Sequence, residues 1–106
     1  MRKYLFHGSY TPEGYGGLLA EGGCKRIEAA KQTLKSAGGS LEAFYFSCGE
    51  NDFYIIVNLP DYATAMAVTL AGNVSGTFSI RATELLTPEQ VDKAVETSVD
   101  FRPPGR

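Results

Sequence analysis

His7 is the only histidine in this sequence, and it is the only side chain whose unperturbed pKa lies near neutrality. To act as a general acid or base it needs neighbours that fix its tautomer and hold a substrate. Tyr45, Tyr54, Asn58 and Arg81 are the candidates. A guanidinium in mid-strand grips a carboxylate or phosphate through two parallel hydrogen bonds; its plainer use is an ion pair with Asp52 or Glu84. His7 has a plainer use too, as a polar side chain satisfied inside a subunit interface. One histidine without further ligands makes no stable metal site, and no residue pattern calls for a cofactor.

Other chemistry-bearing residues point to passive roles. Cys48 has no basic neighbour to activate its thiol, and Cys24, beside Lys25-Arg26, reads as a passive thiol. The glycines between Gly14 and Gly23 lack the Lys-Ser or Lys-Thr pair of a phosphate-binding loop. They read as a bend over a cavity mouth. Gly49 and Asp52 read as turn residues, with the Asp52 carboxylate accepting from backbone N–H groups at the hairpin.

These residues hang on a hairpin. Leu41–Phe46 and Phe53–Leu59 are rich in aromatic and β-branched residues and flank the polar break Cys48-Gly49-Glu50-Asn51-Asp52, which predicts two antiparallel strands. Upstream, Lys3–Tyr10 alternates as a strand does. Thr11-Pro12-Glu13 then supplies a cap, a proline at the first helical position and a first-turn acid. That helix should break at Gly22-Gly23, resume through Ile27, Ala30, Leu34 and Ala37, and stop at Gly38-Gly39. Downstream, Pro60 ends the third strand and Asp61 caps a helix over Tyr62–Ala71, ended by Gly72, Asn73 and Gly76. Thr77–Leu86 alternates again, and Thr87 with Gln90 forms a capping box that opens a short helix over Pro88–Ser98. The segment from Asp100 is kept extended by Pro103 and Pro104.

Strand–helix–strand–strand–helix–strand predicts an α+β, ferredoxin-like βαββαβ sandwich with an extra C-terminal helix, as one domain over residues 1–106 with a tail at 99–106. Strands one and three should be central and parallel, with strands two and four at the edges. Alternation places Tyr4, Phe6, Phe44, Phe46, Phe53, Ile55, Val57, Phe78, Ile80 and Ala82 under the helices. The opposite face collects Leu5, His7, Ser9, Ala43, Tyr45, Ser47, Tyr54, Ile56, Asn58, Ser79, Arg81 and Thr83. Leu5, Tyr45, Tyr54 and Ile56 are too large and apolar to form one wet patch. A second copy packed face to face would cover them and enclose a cavity. Strand two carries one charge in Leu41–Phe46, an edge that the C-terminal tail, anchored by Phe101, is expected to cover.

With 106 residues, 43% of them hydrophobic and 21% charged, and a net charge of −2, the chain reads as an ordinary globular protein. Its balance argues against nucleic acid or anionic membrane as a partner, and Lys25, Arg26, Lys31 and Lys35 read as a solvated helix face. Met1–Gly8 lacks the apolar run of a signal peptide, and no stretch is long enough to cross a bilayer. A cytoplasmic protein with reduced thiols is the expectation.

The run Tyr45-Phe46, Gly49-Glu50-Asn51-Asp52, Ile55-Ile56-Val57 and Pro60-Asp61, followed by Gly76, Arg81-Ala82-Thr83 and Leu85-Leu86-Thr87, resembles the GYD-domain family of small bacterial proteins over nearly the whole chain. Asn51 stands where the family signature has its tyrosine, while Gly49 and Asp52 keep their places. The resemblance implies a ferredoxin-like fold related to dimeric α/β barrels and brings no established reaction, cofactor or catalytic residue. The expectation is a homodimer, or higher homo-oligomer, holding a small, partly apolar ligand, with His7, Tyr45, Tyr54, Asn58 and Arg81 as the site. The alternative is a cofactor-free enzyme of the monooxygenase, isomerase or cyclase type.

Overall fold

The computed structural model describes residues 1–106 as β1 (Arg2–Tyr10), α1 (Pro12–Glu21), α2 (Gly23–Ser36), β2 (Ser40–Phe46), β3 (Phe53–Leu59), α3 (Tyr62–Val74), β4 (Phe78–Leu85) and α4 (Pro88–Val95). The four strands form one sheet in the order β2-β3-β1-β4, which with the helices on one face gives the ferredoxin-like α+β fold. β1 and β3 are central, but they run antiparallel, not parallel. The reason is connectivity. A helical crossover returns the chain in its original direction, so β2 runs with β1, and the β2–β3 hairpin then reverses β3 against both.

The caps follow the sequence. Thr11 accepts from the Gly14 N–H, Asp61 from the Thr64 N–H, and Thr87 and Gln90 form the reciprocal capping box. The break between α1 and α2 falls at Gly22, whose φ of 81° few other residues adopt cheaply. Gly72 and Asn73, expected to end α3, lie inside it. A Cβ on Gly72 would come within 2.7 Å of the Phe78 ring, so the glycine serves close packing of helix on strand. Asn73 holds the helix end to β4, accepting from the Ile80 N–H at 2.8 Å and donating to the Ile80 carbonyl at 3.1 Å.

Tyr4, Phe6, Tyr10, Phe53, Ile55, Val57, Leu59 and Ile80 from the sheet meet Leu34 of α2 and Ala65 of α3 in the core. Tyr10, Phe44, Phe53 and Phe78 pack there as tilted and edge-on rings at 5.3–6.4 Å. Ala82, expected under the helices, is exposed, because an open groove separates α3 from this end of β4. The tail does not lie over β2 of its own chain: Phe101 is 70% exposed. α4 and the tail project from the body, and the radius of gyration is 16.9 Å, where a compact chain of this length has roughly 13 Å. No helix is long and apolar enough to cross a membrane.

Candidate functional site

The face of the sheet away from the helices is uncovered, and the strand registers order it into rows. Tyr45 pairs with Tyr54, Tyr54 with His7, and His7 with Arg81. Four of the five residues singled out from sequence therefore stand in one line across all four strands, roughly 14 Å from end to end at about 4.8 Å per strand. The adjacent row is Ala43, Ile56, Leu5 and Thr83, and the next is Ser40, Asn58, Lys3 and Leu85. Asn58 thus lies two rows from His7. It is occupied there, accepting from Lys3 Nζ at 3.2 Å, and the same ammonium pairs with Glu42, which the bulge between Leu41 and Ala43 displaces from the regular ladder. Lys3 holds the Glu42 carboxyl below its usual range.

Within the first row the His7 and Tyr54 rings lie nearly parallel, 26° apart with centroids at 6.5 Å. His7 Nε2 is 3.4 Å from Thr83 Oγ1. Asn51, at the position of the family tyrosine, donates to the Tyr54 hydroxyl at 3.3 Å. Arg81 is exposed and makes no ion pair; Glu84, one partner anticipated for it, pairs with Arg2 at 3.1 Å. Asp52, the other, is turned away, accepting from the Tyr10 N–H at 2.9 Å and the Tyr15 hydroxyl at 2.5 Å. Its carboxylate ties the hairpin to the end of β1 and to α1, not to the hairpin's own N–H groups; Gly49 donates to Ser47 Oγ instead. The bond to Asp52 raises the Tyr15 pKa above its ordinary value.

A cleft of about 300 Å³ opens at the Arg81 end of the row, between His7, Ser9, Ser79 and Arg81 on the sheet and Glu50 and Asn51 on the hairpin turn. No apolar side chain lines it. Tyr45, Tyr54 and Asn58 are not in it, so His7 and Arg81 share a cavity with other polar groups than those anticipated. Ser9 and Ser79 face each other in register, and alternation alone assigns them to this face. The turn residues carry no such signal, since only the fold shows where a turn doubles back. Nowhere do three His, Cys, Asp or Glu side chains gather as metal ligands. Cys24 and Cys48 are exposed and unpaired.

The sheet order, the rows and the hairpin all lie within the stretch matched by the model of the GYD domain, residues 4–95. The chain belongs to the GYD domain family. No curated protein and no solved structure matched it. The chemistry of this GYD domain is therefore argued from its own side chains: an aromatic and cationic row, an apolar row beside it, and a polar cleft at one end.

Proposed function

We propose that this GYD domain works as a homodimer whose two open sheet faces meet and hold a small, partly apolar ligand between their Tyr45–Tyr54–His7–Arg81 rows. The observation that carries this reading is the uncovered face. Leu5, Ala43 and Ile56 are half-buried in a patch continuous with Tyr45, which is 71% exposed. The chain exposes 7455 Å², whereas a compact chain of this mass exposes roughly 5,800 Å². The excess, roughly 1,700 Å², is shared between the open face and the projecting α4 and tail, and together they offer more than the about 800 Å² that each partner contributes to a standard interface. Arg81, with no acid paired to it, suits an anionic group on the ligand, and the tyrosine rings suit its apolar body.

Ile56→Lys places a charge at the centre of the face. The variant is expected to keep its far-ultraviolet circular dichroism and to run as a monomer; a variant of wild-type mass would contradict the reading. A thermal-shift screen of small acids, quinones and haem then identifies the ligand class, with Arg81→Ala weakening the response to an anion held at the row.

A second reading, a cofactor-free enzyme, is favoured by one feature: His7, Ser9, Asn51 and Arg81 share a single polar cleft. In an enzyme His7→Gln abolishes turnover of the ligand found by the screen. In a binding protein it changes affinity alone.

A further inference from the structure

On the other side of β4 lies a larger groove of about 820 Å³, bounded by α3 and by the outer edge of β4. Its floor is apolar, built from Ala65, Met66 and Ile80. At one end sits Tyr4, only 4% exposed, whose hydroxyl is buried with no hydrogen-bond partner. A hydroxyl removed from water without a partner loses more free energy than it returns, so native cores seldom keep one idle. Beside it Arg2 lies over the Tyr62 ring at 5.4 Å and gives one N–H to Glu84. A guanidinium has five donors, and a pair as exposed as this one is weak, so Arg2 is free to turn toward a ligand.

The strand edge supplies further donors. Ile80 turns its N–H and C=O outward to Asn73, and the alternation of an antiparallel ladder turns those of Ala82 the same way, toward the groove. Asn73 occupies the edge at Ile80, which stops an added strand from running along β4. A short ligand fits this geometry better than a peptide. Arg2 and Arg81 among the lining residues outnumber Glu84, so the groove favours a negative head.

From the idle Tyr4 hydroxyl, the movable Arg2 and the apolar floor, we infer that the groove between α3 and β4 binds a small carboxylate with an apolar tail. The head takes hydrogen bonds from Tyr4 and Arg2, and the tail lies along Ala65 and Met66. This site opens on the helix side of β4 and the cleft on the sheet face; Ser79 and Arg81 border both, whereas Tyr4 and Arg2 belong to the groove alone.

The test uses octanoate as probe on the full chain, with octylamine as the control of opposite charge. Octanoate is expected to raise the melting temperature progressively with the logarithm of its concentration above the Kd and to shift the backbone amide resonances of Met66 and Ala82, and octylamine to do neither. Tyr4→Phe separates ligand binding from a structural role. Removing an idle hydroxyl should leave the unliganded protein as stable as before or more so, while octanoate affinity falls about tenfold, the effect of losing a hydrogen bond to a charged group. Arg2→Gln should weaken octanoate binding as well. Absence of any octanoate response, as when the C-terminal arm of a second copy fills the groove, would overturn the inference, and so would wild-type affinity in Tyr4→Phe.

Discussion

Asp52 shows how one side chain fixes the mouth of the cleft. Its carboxylate holds the Tyr10 N–H and the Tyr15 hydroxyl, and its own N–H donates to the Gly8 carbonyl at 2.7 Å. Asp52→Ala leaves the Tyr10 N–H without a partner and is expected to cost about 2 kcal/mol in urea unfolding. The Tyr15 bond also has a pH signature. Because the Tyr15 pKa is raised in the folded state, its contribution is complete below the unfolded value near 10 and disappears as pH climbs through the higher folded value. Tyr15→Phe should flatten the alkaline arm of the stability curve. At the acid end Asp61 is depressed, chiefly by the Thr64 N–H, and Glu42 by Lys3. Their contributions are present above about pH 4 and are lost as pH falls through the lowered folded values, so Asp61→Asn should reduce the acid sensitivity of the melting temperature.

At the scale of elements, the joints between β4 and its neighbours decide the fold's tolerance to change. A Cβ on Gly8 would stand 1.9 Å from the Ser79 carbonyl oxygen, so Gly8→Ala must push β1 and β4 apart and is expected to cost about 3 kcal/mol. Asn73→Ala removes both bonds to Ile80 and should cost about 2 kcal/mol, with faster amide exchange at the end of α3. These joints mark the limit of what sequence shows. Alternation placed His7, Tyr54 and Arg81 on one face, and cap residues located the start of every helix but α2, because both signals are local. That Tyr45, Tyr54, His7 and Arg81 share one row, with Asn58 two rows away, depends on register and on the bulge at Glu42. Gly72 and Asn73 lie inside α3 for a related reason: their roles are contacts with Phe78 and Ile80, which local propensity does not record. The reversal of β3 against β1 follows from connectivity and was available from element order alone.

For the whole molecule, the shape matters more than the core. The chain extends over 56 × 33 × 22 Å, and Leu86, Val91, Val95, Val99 and Phe101 are exposed along α4 and the tail. Val91 and Val95 lie on one side of α4, one turn apart, with no surface of their own chain beneath them. In the homodimer proposed above, the arm is expected to reach the partner. Truncation after Ser98 should then leave the circular dichroism of the body unchanged and move the monomer–dimer equilibrium toward monomer. The most direct measurement is the mass of the intact chain in solution, by size-exclusion chromatography with light scattering at micromolar concentration. Meeting of the open faces requires twice the 11.4 kDa of a single chain, or a higher even multiple, whereas a monomer at that concentration would leave Leu5, Tyr45, Tyr54 and Ile56 without cover and contradict the dimeric reading.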